Sequence, residues 1–66
     1  MEIKVDFMEA FAAYEEGKEI KSLESKFSYK KMYGENFIYS NIFEDWINNE
    51  LGFFPSEIKG KWYIND

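Results

Sequence analysis

Nothing in this chain can staple it. Its 66 residues include no cysteine and no histidine, which removes disulfides and the commonest structural metal ligands together. A domain of this size buries only roughly 60% of the surface its unfolded chain exposes, so its stability must come from side-chain burial. The sequence supplies that burial as rings: seven Phe, five Tyr and two Trp. Each ring can remove ~150–250 Å² from water. We therefore expect one domain, residues 1–66, with an aromatic core and any surplus rings at a subunit or ligand interface.

Periodicity divides the chain into short elements. "MEIKV" reads as a first strand or a lead-in. "DFMEAFAAYEEGK" is the clearest helix, 6–16, with Asp6 as N-cap and Glu9 three residues on, as in a capping box. Phe7, Ala10, Phe11 and Tyr14 fall on one face, the alanines permit close approach to a sheet, and Gly17 supplies the stop. Ile20, Phe27, Tyr29 and Lys31 follow a two-residue alternation, and "NFIYS" is rich in strand formers. These segments are expected to pair antiparallel through a turn at 33–36. In "SNIFEDWINNELG", Ile42, Phe43, Trp46 and Ile47 share a helical face, with Glu44, Asp45, Asn48 and Asn49 opposite. Helix is favoured for 41–51, ended by Gly52, with strand–turn–strand as the alternative. Pro55 rules out a central strand, 56–60 reads as a helical or turn-like excursion, and "KWYIN" as a final strand. Trp62 and Ile64 should face the core and Tyr63 the opposite side. The expected fold class is α+β: an N-terminal helix packed on a small antiparallel sheet, with a second short helix in the middle of the chain.

The chemistry on offer is narrow. Without imidazole or thiol, a nucleophilic serine (Ser22, Ser25, Ser28, Ser40 or Ser56) would need a lysine as base. "SYKK" places Lys31 three residues after Ser28, which on a strand points the two apart. Glu15 with Glu16, Glu44 with Asp45 and Asp6 with Glu9 are the closest acid pairs, and solvated or capping roles account for each. The isolated glycines make no phosphate loop, and the calcium-loop spacing is absent. The expectation is a protein that binds without catalysis and needs no cofactor or metal.

Net charge is −5, and every positive charge is a lysine. Direct nucleic-acid binding is therefore not expected, because it relies on a positive footprint and on arginine. No apolar run approaches a membrane span, and the charged start does not resemble a signal peptide, so a cytoplasmic protein is expected. Lysines interleave with the carboxylates, as in "KEIKSLE", which breaks up any phosphate-like row that DNA mimicry would require. The central aromatics and amides form the candidate site: Tyr33, Asn36, Tyr39, Trp46, Asn48 and Asn49, with Tyr29 and Asn41 beside them. Rings stack on bases and asparagine reads base edges by paired donor and acceptor. Glu44 and Asp45 extend this set into an aromatic–acidic surface over 44–51 that could hold a basic protein.

Both ends of the chain resemble a known family. "DFMEAFAAYEEGKEIKS" and "FFPSEIKGKWYIND" are similar to the opening and close of the small phage and prophage domain of the Thoeris anti-defence, sponge-type family. Phe7, Glu9, Ala10, Glu16, Gly17, Lys18, Ile20, Ile58, Trp62 and Ile64 carry the likeness, which covers about half the chain. The middle departs: "KSLESKFSYKK" stands where an Arg-Arg and a Trp would follow the first helix. The resemblance implies a phage-encoded, homo-oligomeric α+β protein that soaks up a cyclic nucleotide immune signal without cleaving it. The expected function is thus a non-catalytic inhibitor of bacterial defence that sequesters a small nucleotide signal or blocks a bacterial host protein. The alternative is an acidic inhibitor or DNA mimic that occupies a basic host protein directly.

Overall fold

The computed structural model describes residues 3–50 and 52–65. Its elements are β1 (Ile3–Asp6), α1 (Phe7–Glu15), β2 (Glu19–Ser22), β3 (Ser28–Met32), β4 (Glu35–Ser40), β5 (Asp45–Asn48), α2 (Pro55–Lys59) and β6 (Lys61–Asn65). The strands form one antiparallel sheet in the order β1-β6-β2-β3-β4-β5. The α+β expectation holds, with a helix packed against an antiparallel sheet. "MEIKV" contributes an edge strand through its described part.

α1 begins and ends as its sequence dictates. The Asp6 carboxylate accepts the Glu9 amide at 3.1 Å, and Gly17 takes a φ of +93° just past the helix. Gly17 N–H then reaches the Tyr14 carbonyl and Lys18 N–H the Ala13 carbonyl, the paired bonds of a Schellman stop. Ala10 and Ala13 are buried at the sheet, where small side chains let the helix sit close. From β1 the chain crosses by α1 to β2, and the space between those strands is filled by β6. β6 is therefore an interior strand with a neighbour on each side, which accounts for its Trp-Tyr-Ile cluster. Trp62 is fully buried, and Tyr63 faces away from the helices.

The core joins Val5, Ala10, Ala13, Tyr14, Ile20, Tyr29 and Trp62, with Phe7, Ile38, Phe53 and Ile64 packed against it. Phe53 is its hub: its ring lies 4.8–6.2 Å from those of Phe7, Phe11, Tyr14, Tyr29 and Trp62, edge to face in every case.

Residues 41–48 correct the helical expectation for 41–51; Leu51 lies outside the described residues. The segment is a turn followed by β5, which pairs Ile47 with Ile38 and Trp46 with Tyr39. Apolar residues at 42, 43, 46 and 47 fit a helical face. The unpaired backbone of β4 decides against it, since β5 satisfies that edge and a lone short helix would be marginal. The Ser40 hydroxyl accepts the Phe43 amide at 3.3 Å, and Glu44 turns the chain with a φ of +51°. Gly52, expected to end a helix, instead sits in a loop at φ +79°. The second helix is accordingly not in the middle of the chain but at Pro55–Lys59, with Pro55 in its first turn.

Candidate functional site

α1 and α2 lie on the same face of the sheet, because Glu57 of α2 bonds to Tyr29 and Trp62, both on the helix-covered side. Strand alternation gives the other face a different chemistry. Register aligns Lys4 with Tyr63, Tyr63 with Lys21, Lys21 with Ser28, and Tyr39 with Trp46. Ser28 and Tyr39 meet one step along from the Tyr29 and Ile38 pair. One residue from every strand thus stands in a single cross-strand row: Lys4, Tyr63, Lys21, Ser28, Tyr39, Trp46. With strands ~4.8 Å apart, the row runs about 24 Å across the sheet.

The row deepens into a groove of about 540 Å³ at its β2–β5 end, where Lys21, Ser28, Tyr39 and Trp46 are joined by Glu19, Lys26 and Asn41. The rings of Tyr39 and Trp46 meet edge to face at 5.5 Å, which fixes both without closing the groove. Lys26 is placed by a tight loop. Its amide bonds to the Ser22 carbonyl at 2.9 Å and its φ is +65°. The buried Ser22 hydroxyl accepts the amides of Glu24 and Ser25. Two lysines, two rings, a hydroxyl and an amide therefore face one hollow. Register places Lys4, Lys21, Lys30 and Lys61 on this sheet face beside Asp6, Glu19 and Glu35, and Lys26 joins them at the groove.

The sequence-derived site residues divide. Tyr39 and Trp46 come together in the groove, and Asn48 stands on the same face opposite Phe37. Asn36 and Asn49 do not join them. The Asn36 side chain accepts the Tyr14 hydroxyl at 2.7 Å, and its carbonyl accepts the Asn49 amide at 2.9 Å. The Asn49 side chain bonds the Gly52 carbonyl at 3.3 Å. Both asparagines are occupied by the fold. Tyr33 belongs to the two-residue β3–β4 turn, where it and Gly34 have φ of +55° and +76°, and its side chain is fully in solvent. Glu44 lies in the next turn, and Asp45 accepts the amide of Trp46 at 2.8 Å. The candidate site of the sequence does not include Glu19, Lys21, Lys26 or Ser28, the last of which enters there only as a possible nucleophile. Period-two registration of the segments would have found Lys21 and Ser28; nothing local marks Lys26.

A second polar cluster lies inside the molecule. Glu57 is fully buried, and its carboxylate accepts the Tyr29 hydroxyl at 2.7 and 3.0 Å, the Phe54 amide at 2.8 Å and the Ser25 hydroxyl. Its own carbonyl accepts the Trp62 indole N–H at 2.8 Å. Burial, then the hydrogen bond and negative charge of Glu57, push the Tyr29 hydroxyl well above the ordinary phenol range. Ser25 also accepts the Phe27 amide at 3.2 Å, so its hydroxyl is bound on both sides. This cluster ties α2 and the β2–β3 loop to the core, and through that loop steadies Lys26. Among the described residues, no buried side-chain nitrogen or oxygen lacks a partner, and no group of acidic residues is placed to hold a metal ion. Nor is any helix long and apolar enough to cross a membrane.

No family model, curated protein or solved structure matches the chain.

Proposed function

We propose that this protein is a non-catalytic binder that sequesters a small anionic nucleotide on the open face of its sheet. The observation that carries this reading is the joint lining of one groove by Tyr39, Trp46, Lys21 and Lys26. A ring face offers a base a stacking surface, while lysine ammonium groups meet phosphate as point charges. Ser28 and Asn41 add short polar contacts, and Glu19 can accept from a ribose hydroxyl or an exocyclic amine. The groove lies open to solvent, and a second copy of the chain laid over it would enclose the ligand. The homo-oligomer belongs to the same proposal.

A cyclic nucleotide immune signal fits this chemistry. The resemblance of both chain ends to the sponge-type anti-defence family supports the same choice. On this reading the protein is phage-encoded, works in the bacterial cytoplasm, and returns its ligand intact. Isothermal calorimetry of the purified chain against a panel of cyclic mono- and dinucleotides tests it, with chromatography of the ligand recovered afterwards. Binding should weaken about 10- to 100-fold in Trp46→Ala, the usual worth of one stacked base. Lys21→Gln should reduce both the affinity and its salt dependence. Absence of heat across the panel, or ligand recovered as cleaved product, removes this reading.

A further inference from the structure

The helix-bearing side of the sheet is only partly covered. α1 packs over β1, β6, β2 and β3, and the β4–β5 end extends beyond it. Two adjoining hollows there, of about 440 and 350 Å³, share Phe27, Ile38 and Ile47 and so make one trough, with Phe54 at one end and Ile42 at the other. Its apolar groups are open to water: Ile42 is 87% exposed, Phe54 48%, Ile47 41% and Phe27 38%. Phe43, beside Ile42 in the same turn, is 70% exposed. Solitary exposed hydrophobes are ordinary, but a contiguous set along a concave strip marks an interaction surface.

Charge selects the occupant. Glu50 lines the trough, Asp45 shares the strand face of Ile47, and Glu44 stands exposed in the turn beside Ile42 and Phe43. Among the described residues no lysine lines either hollow, and the neighbouring Lys26 lines the groove on the opposite face. We infer that the trough docks an amphipathic helical segment of another protein, with apolar side chains on one face and lysine or arginine along its flanks. Such a segment lays its apolar stripe into a groove and meets the acidic rim with its basic flanks. A second copy fits less well. A two-fold contact through this surface would set Glu44, Asp45 and Glu50 of one molecule near the same carboxylates of the other. The trough and the groove meet at Tyr39 and Asn41, which line both, while Lys21 and Lys26 belong to the groove alone; the inference does not need the nucleotide reading.

Titration of the full chain with a synthetic leucine–lysine amphipathic peptide of about four helical turns tests it. The control is a scrambled peptide of identical composition, which keeps the charge and loses the stripe. The amphipathic peptide should bind and the scrambled one should not. Ile42→Thr and Glu50→Lys should each weaken binding about tenfold, and Glu50→Lys should also flatten its salt dependence. Lys21→Gln, on the other face, should leave it unchanged. Equal binding of the scrambled peptide overturns the inference. So does indifference to Ile42→Thr, or a wild-type dimer in sedimentation that Ile42→Thr dissociates.

Discussion

The two ends of the sheet follow different rules. Under α1, Val5, Ile20, Tyr29 and Trp62 are each no more than 9% exposed, and even the buried carboxylate of Glu57 is bonded on both oxygens. At the β4–β5 end, Ile38 is half buried, Ile47 is exposed, and the connecting turn holds Ile42 and Phe43 in solvent. A chain without disulfides cannot leave its core half to chance, so residue identity there answers to packing. At the far end folding demands little beyond strand pairing. Side chains that are conspicuous there without being needed for the fold are the ones to read for function.

The two tryptophans give the widest contrast. Trp62 is fully buried against Phe7, Tyr29 and Phe53, with its N–H on the Glu57 carbonyl. Trp62→Ala should cost about 3–5 kcal/mol, which in a domain this small is most of the available stability. Trp46 is only partly buried and meets one ring, so Trp46→Ala should cost about 1 kcal/mol or less. Urea unfolding followed by circular dichroism measures both. A Trp46→Ala loss as large as that of Trp62→Ala would place Trp46 in the core and erase the contrast.

Next in size is the hydroxyl of Tyr29. Tyr29→Phe removes the donor that touches both oxygens of Glu57, while the Ser25 and Phe54 donors remain; the expected cost is about 1–3 kcal/mol. The same residue gives an alkaline signature. Burial first, with Glu57 adding to it, raises the Tyr29 hydroxyl above its ordinary value of 10.0. Burial and then the charge of Glu15 raise that of Tyr14. Above pH 10 the unfolded chain sheds these protons and the folded chain keeps them. Their contribution is therefore complete below pH 10 and lost as pH rises toward the folded values, by about 1.4 kcal/mol per unit for each tyrosine. Unfolding free energies measured above pH 10 should fall less steeply for Tyr29→Phe than for the wild type. Equal slopes would show that Tyr29 ionises alike in both states.

The packed half was also the more legible in the sequence. Asp6, Glu9 and Gly17 announce the start and stop of α1 through local bonds, and Trp62 with Ile64 alternates like any strand. The open half misled because Ile42, Phe43, Trp46 and Ile47 fit a helical period, and only the vacant edge of β4, a long-range fact, decides for a strand. Glu57 shows the same limit: nothing local marks it for burial, and only the fold brings Tyr29 and Ser25 to it. At the site, Tyr39 and Trp46 were found from their chemistry. Lys26 was not, because its position depends on a loop anchored by the buried Ser22 hydroxyl. Asn36 and Asn49 stand among the candidates because an amide shows in the sequence what it can bond, never what it has already bonded.

The smallest expected effect is the most telling. Ile42→Thr and Phe43→Ser replace side chains that are 87% and 70% exposed in a turn closed by the Ser40 hydroxyl and the left-handed backbone of Glu44. Neither side chain leaves a cavity when shortened, and neither change disturbs the bond between the Ser40 hydroxyl and the Phe43 amide. Each substitution should shift stability by no more than about 0.5 kcal/mol, the usual range for surface positions. If these residues served the core, the loss would resemble that of a buried aliphatic, about 2–5 kcal/mol, and the two halves of the sheet would obey one rule. Thermal unfolding of the double variant beside the wild type separates these outcomes. An unchanged midpoint would mean that folding places no demand on two large hydrophobes in a chain with no covalent staple to spare, and that the reason for them lies outside the molecule.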